Sequence, residues 1–329
     1  MTSSPPTGVF VPVPTFFHPQ AESSSLQAAV DVETQTQHAV FLANNGVRGL
    51  VLLGSTGEAI HMSRQERIDV VAGVRKGLTA AGFPEYPIMA GTLINSIDET
   101  LEWLDDFKQA GAQWGLVLVP GYFGAAASQE GIREWFTIVA DRSPLPILIY
   151  NYPGVTNGVL VTPETYRILA KHPNIVGCKM SHAIVSYHNQ VSLDPQIDHA
   201  NFKVFSGLGQ QLGPIVLFDA AGVIDGLAAV YPKTVCSLMK LAETRPITNE
   251  NLQRIKALQY TVSTAEEYIG KYGIVGIKEA VKRVTGYGTM EGGRLPIKGK
   301  LPAGEWEKWN DMWQRIQQVE DSLTEKDFQ

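Results

Sequence analysis

Eight short runs of β-branched and aliphatic residues, each followed by a longer stretch of helical periodicity, constrain this 329-residue chain more than any other feature. The runs cover residues 9–13, 49–53, 87–90, 115–119, 146–150, 175–179, 203–206 and 222–224. Strands that alternate with helices pair in parallel through right-handed crossovers, and eight such units over about 230 residues match the size of a closed barrel. The expected fold class is therefore α/β, a (β/α)8 barrel over residues 8–235. A doubly wound open sheet shares the alternation. Against it, no G-x-G-x-x-G follows the first run, and Gly54-Ser55-Thr56-Gly57 lacks the Gly-Lys-Ser/Thr that completes a nucleotide-binding loop.

Helix boundaries carry their own chemistry. Ser63 with Glu66, and Ser96 with Glu99, read as capping boxes, and Thr162-Pro163 puts proline at a first helical position. Gly82, Gly111 and Pro173 mark helix ends. Past residue 235 the strand signals stop, and 249–268, 274–285 and 305–319 read as helices. The second expected region, 236–329, is a helical extension packed on the barrel.

Composition excludes several function classes. A formal charge of -6 with both signs scattered offers no cluster of cations to a phosphate backbone, so no nucleic-acid partner is expected. No apolar run approaches the roughly 18 residues that span a bilayer, so no membrane partner is expected either. The first eight residues read as an ordinary tail rather than a signal peptide. Cys178 and Cys236 sit in apolar stretches where a thiol is a small hydrophobe, which fits a reducing, cytoplasmic setting. The seven histidines form no H-x-x-x-H or similar ligand cluster, so no metal is expected.

Barrel enzymes place their chemistry where strands end. In the sixth run, period-two alternation groups Ile175, Gly177 and Lys179 on one face and Val176, Cys178 and Met180 on the other, which points Lys179 into the barrel mouth. Burial there lowers an ammonium pKa and frees an amine able to attack a carbonyl. A lone strand-end lysine more often runs its stem to solvent. The fifth run puts Leu148 and Tyr150 on one face; a phenol there could move a proton, although buried tyrosines are more often core residues with a satisfied hydroxyl. The second run ends in Gly54-Ser55-Thr56-Gly57-Glu58, whose hydroxyls and backbone N–H groups could converge on a carboxylate, as they could in a purely structural turn.

Together these three ends resemble the dihydrodipicolinate synthase and N-acetylneuraminate lyase family of class I aldolases. The resemblance runs from about Val9 to Trp313 and includes Ser63-Arg64-Gln65-Glu66-Arg67, Tyr150-Asn151-x-Pro153, Ile175-Val176-Gly177-x-Lys179, Phe205-Ser206-Gly207 and Gly222-Val223-Ile224. It implies that Lys179 forms a Schiff base with pyruvate or a pyruvate-derived substrate, that Tyr150 transfers protons, and that Ser55 belongs to the relay. It further implies that Thr56 holds the substrate carboxylate and that Gly207 and Ile224 line the pyruvate pocket. Neither metal nor nucleotide cofactor is implied. The partner is a small 2-oxo acid, and a homotetramer built as a dimer of dimers is the family's common assembly.

Departures from the family pattern narrow the activity. Val155 stands where the synthase branch has an arginine that grips a second carboxylate, and valine makes no such contact. The family's relay tyrosine, donated across a subunit contact, aligns with Phe123, leaving Tyr122 as a substitute. Met180 replaces the acidic residue common after the lysine, and His182 lies where it could meet substrate hydroxyls or sit in a solvated loop. Lys278, in Gly276-Ile277-Lys278-Glu279-Ala280, imitates the surroundings of an active lysine, but its helical periodicity assigns it to the extension. The segment around Gly154-Val155-Thr156 looks most like fungal 2-keto-3-deoxy-L-galactonate aldolases. The expected reaction is cleavage of a 2-keto-3-deoxy sugar acid to pyruvate and a hydroxyaldehyde such as L-glyceraldehyde. A dehydratase or hydratase-aldolase and a non-catalytic 2-oxo-acid sensor are the alternatives, with dihydrodipicolinate synthesis disfavoured by Val155.

Overall fold

The computed structural model describes residues 4–19 and 26–329, so the start of the expected amino-terminal tail lies outside the described residues. Eight parallel strands close into a barrel in sequence order: β1 (Gly8–Pro12), β2 (Gly49–Leu52), β3 (Ile88–Thr92), β4 (Trp114–Leu118), β5 (Ile147–Asn151), β6 (Ile175–Met180), β7 (Lys203–Ser206) and β8 (Gly222–Ile224), with β8 pairing back onto β1. Each is followed by a helix: α1 (Val32–Asn44), α2 (Arg64–Ala80), α3 (Ile97–Ala110), α4 (Gln129–Arg142), α5 (Pro163–Leu169), α6 (Val185–Ser192), α7 (Leu212–Val216) and α8 (Pro232–Glu243). The extension comprises α9 (Asn249–Thr285), α10 (Asn310–Ser322) and α11 (Glu325–Phe328).

The expected boundary at residue 235 falls inside α8, the helix of the eighth unit, so the extension starts only after Glu243. The strand signal ends with β8, and it says nothing of where the helix completing that unit stops. The two helices expected at 249–268 and 274–285 are both present as the two arms of α9, separated at Gly273, whose φ of 53° and ψ of -138° are not helical. Ser63 and Glu66 form the complete capping box, whereas Ser96 caps the amide of Glu99 without the reciprocal contact.

Alternation along the strands divides the apolar residues between two environments. Phe10, Val51, Met89, Leu116, Leu148, Val176, Phe205 and Ile224 pack inside the barrel, and their neighbours, such as Val9, Leu50, Ile147, Cys178 and Val204, pack under the helices. One strand breaks the alternation. Between Ile147↔Ile175 and Leu148↔Gly177 the register of β5 against β6 shifts, so two residues of β6 oppose one of β5. Val176 therefore faces inward, while Ile175, Cys178 and Met180 all pack outward. This corrects the grouping of Ile175 with Lys179 expected from unbroken alternation. A bulge inserts one residue and re-aims the side chains beyond it, and Gly177 permits it: a Cβ there would lie 2.3 Å from the carbonyl oxygen of Lys203.

Lys278 is buried on α9, where its ammonium meets the Glu58 carboxylate and lies 4.4 Å over the Phe17 ring. The second Glu58 oxygen accepts from the Arg294 backbone N–H at 3.0 Å, and the Arg294 guanidinium pairs with Glu66 at the start of α2. This network ties the extension to the turn after β2. Replacing Lys278 with methionine leaves a buried carboxylate short of its cation, and a loss of roughly 3–5 kcal/mol is expected. Urea denaturation of the two proteins measures it.

Candidate active site

A cavity of about 700 Å³ opens at the carboxyl ends of the strands. Lys179, Tyr150, Ser55, Thr56, Gly207, Ile224, Tyr122 and Val155, all singled out from sequence, line its wall. The structure thus brings together side chains from several strand ends and the loops after them.

Lys179 is buried, its ammonium 4.6 Å from the centre of the Tyr150 ring. Removal from water lowers its pKa to about 7, against the opposing pull of Asp225. A substantial share of neutral amine is therefore present at physiological pH, although water would leave a lysine almost wholly protonated. Gly207 gives the stem room, since a Cβ there would meet Lys179 Cε at 3.1 Å and Ser181 Oγ at 2.0 Å.

The Tyr150 hydroxyl lies 3.2 Å from Ser55 Oγ, and its ring stacks on Tyr152 with centroids 6.2 Å apart. Burial pushes the phenol up to about 12, partly offset by hydrogen bonds with Ser55 and Ser181. At rest it is thus a proton donor. A positive charge formed at the neighbouring Lys179 nitrogen acts the other way and favours the phenolate.

Leu53 and Glu58, with φ of 59° and 54°, bracket the turn after β2 in the left-handed region, a costly conformation for residues with side chains. Thr15 Oγ1 donates to the Gly57 carbonyl at 2.6 Å, and Lys278 holds Glu58 from the other side. The strained turn is fixed by partners remote in sequence, and it presents Ser55 and Thr56 to the cavity.

Asn151 is buried, donates to the Val159 carbonyl at 2.9 Å and accepts from the Val161 N–H at 3.0 Å, which closes the loop that carries Val155 into the cavity wall. Asn157 in turn donates to the Tyr122 carbonyl at 2.9 Å. Tyr122 and Phe123 are both exposed and meet edge to face at 5.2 Å, but the cavity is lined by Tyr122 rather than Phe123.

His182 neither meets the cavity nor sits in a solvated loop, the two positions expected for it. It is buried, outside the cavity wall, with its ring against Tyr187 and His188, and burial lowers its pKa to about 4. Met180, beside Lys179, packs outward under the helices. Ser181 lines the cavity, and its spacing of two from Lys179 was signal enough to find it. Glu266, on α9, also lines the wall, and nothing local in the sequence marks it.

A closed (β/α)8 barrel with a buried amine, a phenol and a hydroxyl-bearing turn at the strand ends defines a barrel enzyme of the lyase class. The chain belongs to the dihydrodipicolinate synthetase family, whose sequence model matches residues 6–299. It is 34% identical over 298 residues to the L-threo-3-deoxy-hexylosonate aldolase of Hypocrea jecorina, covering 89% of this chain and 90% of that one. It is also 34% identical over 283 residues to an Emericella nidulans protein named "Probable 4-hydroxy-2-oxoglutarate aldolase, mitochondrial", covering 85% and 86%. Among solved structures, a dihydrodipicolinate synthase family protein from Coccidioides immitis superposes with a TM-score of 0.82 at 29% identity, over 98% of this chain and 99% of that one.

Proposed function

We propose that this family aldolase cleaves a 2-keto-3-deoxy sugar acid, 2-keto-3-deoxy-L-galactonate in the first instance, to pyruvate and L-glyceraldehyde through an imine at Lys179. The observation that carries the reading is the buried Lys179 amine set against Tyr150 and Ser55 on one cavity wall. Attack of the neutral amine on C2 and loss of water give a protonated imine, which draws electrons from the C3–C4 bond. Tyr150, relayed through Ser55, takes the C4 hydroxyl proton as that bond breaks, releasing the aldehyde and leaving an enamine. Protonation at C3 and hydrolysis then return pyruvate and the amine. Thr56 holds the substrate carboxylate, and Gly207 and Ile224 bound the three-carbon pocket. Tyr122 and Val155 face the rest of the chain. No metal or nucleotide takes part, and no nucleic acid or membrane is a partner.

The charge of the wall favours a neutral polyhydroxy tail over a second carboxylate. Among the described lining residues, Lys179 and His61 are the only possible cations, and His61 lies 3.4 Å from Glu58. Val155 supplies none. This supports the sugar acid over 4-hydroxy-2-oxoglutarate and over a synthase reaction with an acidic co-substrate. A tetramer of two dimers is part of the proposal, supported by the exposed Tyr122 and Phe123 rings. The cytoplasmic setting is too, supported by two free, buried thiols; cell fractionation separates it from the mitochondrial location in the Emericella protein's name.

The test is a panel of stereoisomeric 2-keto-3-deoxy acids, with 4-hydroxy-2-oxoglutarate, assayed for pyruvate release and for products by NMR. Pyruvate and glyceraldehyde in equal amounts from a six-carbon acid is the expected result. Loss of water without pyruvate would mean a dehydratase, and an imine with no turnover of any acid would mean a sensor.

A further inference from the structure

Asp225 and Glu266 form a buried acid pair beside the candidate site. Asp225 follows β8 immediately after Ile224 and is wholly buried; Glu266 reaches in from α9 and is 4% exposed. The two carboxyl groups crowd one glycine: a Cβ on Gly209 would meet Glu266 Oε1 at 2.9 Å and both Asp225 oxygens at 3.1 Å. Gly207, two residues back on the same loop and so within roughly 7 Å, lies against Lys179 Cε.

Hydrogen bonding limits the charge of the pair. Asp225 Oδ1 accepts from the Leu227 N–H at 3.2 Å, but with both groups ionised Asp225 Oδ2 and Glu266 Oε1 have no partner. Two carboxylates in contact in a dry site do not both ionise, and one shared proton satisfies both orphaned oxygens. Burial holds both groups above the usual carboxylate range, and the charge of Asp225 raises Glu266 further, which places the shared proton on Glu266 and leaves the pair with one negative charge on the Asp225 side.

We propose that the Asp225–Glu266 pair, carrying one proton and one negative charge, is the counter-ion of the imine at Lys179. The proposal rests on the reading of Lys179 as the imine-forming residue. Burial that frees the amine for attack also penalises the cation that attack produces, and a substrate carboxylate at Thr56 meets only part of that cost. An anion on the β8 side supplies the rest. Glu266 keeps that anion from being a second bare charge in the cavity wall. Both groups are positioning residues that act through the Lys179 nitrogen.

The experiment compares wild type with Asp225→Asn, Glu266→Leu and Glu266→Gln for borohydride trapping against pyruvate concentration. It is run at about pH 8, above the amine's pKa of about 7, so that imine formation takes up a proton. Lactate, which has the carboxylate but no carbonyl, serves as a second ligand. Asp225→Asn, which removes the anion, and Glu266→Leu, which removes the hydrogen bond that keeps buried Asp225 ionised, are expected to raise the pyruvate concentration for half-trapping about tenfold or more, the effect of one unit of pKa on the cation. Lactate should bind them within about twofold of wild type, since its carboxylate site is untouched. Glu266→Gln, whose amide still donates to Asp225, should recover most of the loss. Wild-type trapping by Asp225→Asn overturns the proposal, as does equal loss of pyruvate and lactate, which would mark a structural role. Absence of a Lys179 adduct in wild type overturns the imine reading, and the counter-ion with it.

Discussion

Replacing Lys179 with arginine is expected to abolish the borohydride-trapped pyruvate adduct and to lower kcat/KM by at least ~10³-fold, the scale found when the residue bearing a covalent intermediate is removed. Arginine keeps the charge and much of the stem, but its guanidinium stays protonated and cannot add to a carbonyl. The substitution therefore separates nucleophilicity from charge, which an alanine would not. In the wild-type protein, the trapping rate at low pyruvate should rise about tenfold per pH unit below the amine's pKa of about 7 and level off above it. The sign comes from the amine: protonation at low pH removes the attacking lone pair, and burial has moved that titration down from the ordinary lysine range. Peptide mapping of the trapped enzyme checks the position. An adduct on Lys278 would reject the site, although its engagement with Glu58 and Phe17 leaves that ammonium no approach to a substrate carbonyl.

Tyr150→Phe is expected to lower kcat by roughly 10²–10⁴-fold, the range for removing a positioned proton-transfer group, while leaving the Lys179 adduct detectable after long incubation. The ring and its stacking on Tyr152 survive; only the hydroxyl 3.2 Å from Ser55 is lost. Because the phenol is held up at about 12 by burial, it serves as donor to the forming carbinolamine and becomes an acceptor once the imine is charged. Ser55→Ala should show a smaller loss of the same kind, since a relay partner can be replaced by water in a cavity this open. Steady-state kinetics with a cleaved acid, paired with single-turnover trapping, distinguishes the steps. Equal loss of both measurements in Tyr150→Phe would instead assign the hydroxyl to imine formation alone.

The barrel was legible because its signal is repetitive. Eight apolar runs, each followed by a stretch of helical periodicity, leave one closed parallel arrangement of the right size, and the order of strands around it comes from short right-handed crossovers. Lys179 was legible for a less secure reason. Unbroken alternation aims it inward together with Ile175, but Ile175 in fact packs under the helices, and the inward aim of Lys179 survives because a bulge at Val176 and Gly177 resets the phase. A bulge leaves no periodic trace; Gly177 was its only mark. His182 failed as a substrate contact because a loop residue's direction depends on what packs against it, here Tyr187 and His188.

By itself, then, the sequence determined which residue types stand at the strand ends and in what order, since local hydrogen-bonding geometry and period-two burial are written along the chain. Tertiary structure alone decided how those residues behave. The lowered titration of Lys179, the strained turn clamped by Lys278, and the meeting of Asp225 with Glu266 across 41 residues of chain all arise from burial and proximity between distant segments. Desolvation and charge coupling depend on distance in space, which spacing along the sequence does not encode.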